Sequence, residues 1–140
     1  MTTLAINKQR AYEAQEEPSI NDLPAVATDI IYEGAACGDS SGYIRPLVAA
    51  DAFQGFADRK CDNSLGAAGG KNVRLRQRGA VVLTVTGASA VTDEGSTVYA
   101  TDDDTFTLTA SGGSSIGKVK RWISGTSCVV YFEAASLRSI

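Results

Sequence analysis

Residues 71–85 read KNVRLRQRGAVVLTV, a basic tract that runs without a break into a hydrophobic one. Val73, Leu75, Val81, Leu83 and Val85 fall on odd positions, and Arg74, Arg76, Arg78, Thr84 and Thr86 on even ones. That period of two belongs to a half-buried strand. Gly79, at the junction, predicts a bulge or a close backbone approach. A long strand, bent in the middle with one face in a core, makes strands of its neighbours.

The flanking sequence agrees. Ile30, Ile31 and Tyr32 read as a first strand, followed by the turn GDSSG at 38–42; Pro46 makes 43–48 an edge or irregular strand. AADAFQGFA reads as a short strand or turn, and DRKCDNSLGAAGGKN at 58–72 as a flexible loop. TVYA and TFTLTA flank an Asp102-Asp103-Asp104 turn, and two apolar runs around Ser124-Gly125-Thr126 close the chain as a hairpin. About seven short strands predict an all-β domain, a small β-sandwich or β-barrel, over residues 25–140. Residues 1–24 differ, with two prolines and no regular apolar spacing. They form an extended N-terminal arm, either flexible or docking on a partner, in which 8–17 has the composition of a short, marginal helix.

At 140 residues, 44% hydrophobic and 21% charged, the chain can build one core without staples. Cys37, Cys61 and Cys128 are odd in number, and no signal-peptide pattern precedes them, which predicts reduced thiols in a protein made in cytoplasm. No apolar run approaches the ~20 residues of a membrane helix, so no membrane partner is expected. A net charge of −3 opposes nucleic-acid binding over the whole surface. Trp122, among Lys118, Lys120 and Arg121, reads as packing rather than a base-stacking platform.

Catalysis has little to work with. There is no histidine, hence no general base of the commonest kind and no zinc set with the cysteines. The three aspartates lack the spacing of a calcium loop and read as a turn with solvated carboxylates; AAGGKN lacks the phosphate-loop pattern. No metal, no cofactor and no enzyme activity are expected. Arg74, Arg76 and Arg78 leave one strand face at ~6.8 Å intervals. Two readings stay open: a solvated face or edge that discourages aggregation, and a rigid cationic stripe for an acidic protein surface.

Residues 46–134 resemble the capsid decoration (cement) proteins of tailed bacteriophages. The family-like run is L-x-A-G-D-x-F-x-G-F-A, present here as LVAADAFQGFA with Ala50 in the glycine position. There follow R-x-R-x-x-G, G-x-x-V-Y-A-x-D-x-x-T-F-T-L-T, and I-G-x-V-x-R-W-x-S-G. The resemblance implies a small β domain on the outer surface of the virion capsid. Such a domain clamps neighbouring subunits of the major capsid protein, often as a homotrimer. Arg74, Arg76 and Arg78, with Lys8, Arg10 and Tyr12 of the arm and Trp122 of the closing hairpin, become the candidates for capsid or subunit contact. The alternative is a tail- or fibre-associated domain that binds a receptor or carbohydrate, which exposed aromatics on one sheet face would favour.

Overall fold

Residues 72–86 form one strand, and the domain is built along both of its halves. In the computed structural model, which describes residues 4–12 and 19–138, the strands in chain order are β1 (Ser19–Pro24), β2 (Asp29–Ile31), β3 (Ala36–Ser40), β4 (Tyr43–Pro46), β5 (Ala52–Ala57) and β6 (Cys61–Asn63). They continue with β7 (Asn72–Thr86), β8 (Thr97–Ala100), β9 (Phe106–Thr107), β10 (Ser114–Ser124) and β11 (Ser127–Glu133). The all-β class holds, with eleven strands in place of the expected seven or so. β2 falls where the first strand is expected and β9 lies within TFTLTA; the strands the sequence does not announce are β1, β3 and β6, of six, five and three residues.

The C-terminal half of β7 closes a barrel. β11 lies antiparallel to it, with Val130 opposite Val81; β10, β8 and β9 follow in order, and β9 returns to β7 in parallel, Phe106 opposite Val85. Val81, Leu83, Val85, Val98, Ile116, Val130 and Phe132 fill it, beneath Phe53, Phe56 and Phe106. The N-terminal half of β7 carries β5, β3 and β4 on one side and β1 on the other. This half also rolls up: Ala25, directly after β1, bridges Ile44 of β4, and Val26 N donates to Ile44 O at 2.9 Å. A second core of Ile31, Cys37, Ile44, Cys61, Val73 and Leu75 fills it. β2 and β6, paired as a separate small sheet, contribute Ile31 and Cys61.

The odd positions of β7 are therefore buried along its whole length, in one core and then the other. Gly79, between the two, has φ 155°, and a Cβ there would sit 3.5 Å from the Phe132 ring. The bulge lies two residues earlier. Pairing with β11 runs unbroken through Gly79, whereas β1 pairs Ser19 with Arg78 and Ile20 with Arg76. That leaves Gln77 as the extra residue. Its buried amide donates to Gln54 O at 3.1 Å and accepts from Asn21 Nδ2 at 3.3 Å.

Four expectations are revised. The boundary at Pro24–Ala25 falls inside the sheet, since β1 pairs with β7 and Leu4 is buried in the second core. Residues 8–12 run extended rather than helical, and 13–17 lie outside the described residues. The loop at 58–72 contains β6 and is tied down. Asn63, 2% exposed, donates to Val26 O at 2.8 Å and Ala67 O at 3.0 Å, Gly69 N bonds Ala25 O, and Thr28 N bonds Gly66 O. Finally, the three aspartates are not a solvated turn: Asp103 is fully buried, and Asp104 holds two cations described below. All three cysteines are free and buried.

Candidate functional site

Four of the seven candidate residues meet in one place. Lys8, Arg10, Tyr12 and Arg76 line a cleft of about 200 Å³ together with Gln9, Glu33, Gly34, Ala57 and Asp58. The cleft exists because residues 4–12 run as a strap across the domain. Lys8 N donates to Glu33 O at 2.7 Å, and Glu33 N donates to Asn7 Oδ1 at 3.0 Å. Farther along, Val82 N donates to Ala11 O at 2.9 Å and Tyr12 bridges Val81. Val81 pairs with Val130 of β11 as well, so the strap occupies the opposite edge of β7, the one β1 uses.

Arg10 is the centre of the arrangement. Its side chain is 4% exposed, its Nε donates to Gly34 O at 2.8 Å, and its Nη2 meets Asp104 Oδ1 at 2.9 Å. The guanidinium also lies 5.5 Å from the ring centres of Phe56 and Phe106, within cation–π range. Lys8 Nζ reaches the same carboxylate at 3.1 Å from a half-exposed position. The track needs Gly34: at φ 88° it takes a conformation that favours glycine, and a Cβ there would collide with Lys8 O.

Tyr12 packs between Phe132, 6.2 Å between ring centres, and the Arg76 guanidinium at 4.1 Å. Burial pushes its phenol above the usual tyrosine range, against the opposing pull of Arg76 and Arg10. Arg76 in turn bonds Asp58 at 2.9 Å. Arg74 sits 3.8 Å from Asp22 of β1. The arginine ladder is thus compensated from within at two of its rungs. Arg78 is exposed and has no ion-pair partner among the described residues. Trp122 lies outside the cleft, half-buried against the barrel core; its Nε1 donates to Gly125 O at 2.9 Å and its backbone N to Glu94 Oε2 at 3.2 Å.

Chemically, the cleft is a set of matched charges around an anchored arginine. No nucleophile stands beside a base in it, and among the described residues no group of three His, Cys, Asp or Glu side chains is arranged to hold a metal ion. No helix of the described residues is long and apolar enough to cross a membrane. Sequence reasoning missed Asp58, Asp104 and Gly34, whose partners lie 18, 94 and 24 residues away. It also missed Leu65, fully exposed at the tip of the loop that Asn63 holds. No family model, no curated protein and no solved structure matches the chain.

Proposed function

We propose that the chain is a phage capsid decoration protein, one that binds the outer surface of the assembled head and strengthens contacts between major capsid protein subunits. One observation carries the reading. The family-like pattern places glycine where this chain has Ala50, and the backbone at Ala50 has φ 77°, a conformation that glycine adopts freely and alanine does not. The turn is held from outside: Asp51 pairs bidentately with Arg45 at 2.8 and 3.0 Å and accepts from Val48 N at 3.1 Å. The local geometry therefore supports the alignment on which the resemblance rests.

The mechanism is mass action. A protein that binds only the assembled lattice stabilises it by RT ln(1 + [L]/Kd) per site, about 3–4 kcal/mol at ~100–1,000 Kd. Contact falls to groups not already used inside the chain, Arg78 and Leu65 first among them. The receptor- or carbohydrate-binding alternative gains less support, since Tyr43, at 37%, is the one exposed aromatic among the described residues.

Co-sedimentation of the purified chain with undecorated heads tests the proposal. Saturable binding and a raised head-disruption temperature are expected. Heads that pellet without the protein at micromolar concentrations reject it. Arg78→Glu should fold as the wild type does and bind heads more weakly, with the wild-type affinity falling as salt rises.

A further inference from the structure

The contacts of Asn7, Lys8, Arg10, Ala11 and Tyr12 described above are made with residues between Glu33 and Phe132, outside β1, to which the strap is directly joined through residues 13–18. Which strap fills the track is therefore decided by the tether alone. The tether is long for its task. Tyr12 lies opposite Val81 and Ser19 opposite Arg78 on the same edge of β7, so the two anchor points are three residues apart on that strand, about 10 Å. The seven residues from Tyr12 to Ser19 reach about 23 Å when extended.

An empty track is unfavourable. Asp104 would lose both cations, Phe56 and Phe106 the guanidinium that covers them, and Phe132 the Tyr12 ring. The requirement for glycine at position 34 further restricts the track to a chain that passes as Lys8 does. We infer that the strap is an exchangeable element: residues 4–12 of one copy can fill the track of a second copy, so that Lys8, Arg10 and Tyr12 complete the neighbour's cleft. Exchange keeps every contact and changes only which chain supplies them, the condition under which segments swap at low cost. A link of six residues gives the chain's own strap an effective concentration in the millimolar range, so exchange becomes competitive when copies are equally crowded. Passed around a ring, it would link the copies of a small oligomer. The inference stands apart from the capsid reading and is tested without heads.

Ala11 and Val82 lie opposite one another, ~5.5 Å between Cα atoms for a hydrogen-bonded antiparallel pair, a spacing that suits a disulfide. Ala11 is exposed and Val82 half-buried, so cysteine is tolerable at both. The full chain carrying Ala11→Cys is mixed with the full chain carrying Val82→Cys at about 1 mM and oxidised. Neither variant can form this bond alone. A covalent dimer linked through positions 11 and 82, identified by peptide mass, should become the main species, and its yield should fall on dilution. The double variant at micromolar concentration should close within one chain. If the double variant closes and the mixture gives no such dimer, exchange is rejected; if the double variant does not close, the docked strap itself is rejected.

Discussion

Replacing Asp104 with asparagine keeps the shape of the side chain and removes the charge that Lys8 and Arg10 share. The two cations differ in what they lose. Lys8 is half-exposed, and an exposed ion pair contributes about 0–1 kcal/mol. Arg10 is 4% exposed, and breaking a fully buried pair from one side costs about 3–5 kcal/mol. Asp104 is 22% exposed, and Arg10 keeps Gly34 O and two aromatic faces, which lowers the expected loss to about 2–3 kcal/mol. With a urea dependence near 2 kcal/mol per molar, the unfolding midpoint should fall by about 1 M. Lys8→Met should move it by a quarter of that or less. In a double-mutant cycle, Arg10→Met and Asp104→Asn should couple by about 1.5 kcal/mol or more. Proteolysis within residues 4–12 should accelerate with Asp104→Asn. A midpoint within about 0.2 M of wild type, together with unchanged proteolysis, would refute the claim that Arg10 and Asp104 hold the strap.

Ala50→Gly should stabilise the chain by about 1 kcal/mol, raising Tm by roughly 3–4 °C, since it relieves a left-handed alanine; no gain in a thermal melt would mean that the turn is not strained. Asn63→Ala should cost about 2–3 kcal/mol and loosen the 64–71 loop, seen as faster hydrogen exchange at Gly66 and Gly69, because two carbonyls lose their donor. Burial raises the Cys37 thiol and the Tyr12 phenol, so each keeps its proton in the folded chain after the unfolded chain has released it. Their contribution to stability should therefore be full below about pH 8.5 and decline above it, by up to ~1.4 kcal/mol per pH unit for each group past its unfolded pKa. Cys37→Ala should flatten that decline between about pH 9 and 10, and an unchanged slope would remove Cys37 from the account.

β7 was legible because its odd positions are buried along the strand, with both cores using the same parity, and Ala80 is the one even position that is also buried. The β10–β11 hairpin was legible for a similar reason, with Gly125 in its turn. β1 was not, because Ile20, Asn21 and Asp22 are exposed and Leu23 is the sole aliphatic of the strand that helps cover a core. The strap was invisible for a different reason. A segment held by one buried leucine, one arginine and one tyrosine has no period; its partners in sequence are far away, and composition alone resembles a tail. The arginine spacing was correctly placed on one face. Asp58 and Asp22, which neutralise two of the three, come from chain segments that spacing cannot bring together.

The strand shared by the two rolled halves bears on how the molecule comes apart. Each half lacks a wall without β7, so neither can open while the other stays shut, and melting should be a single all-or-none event with equal calorimetric and van't Hoff enthalpies. The slowest amide protons in the chain should be those of Val73, Leu75, Val81 and Leu83, all released by the same global opening although they belong to different cores.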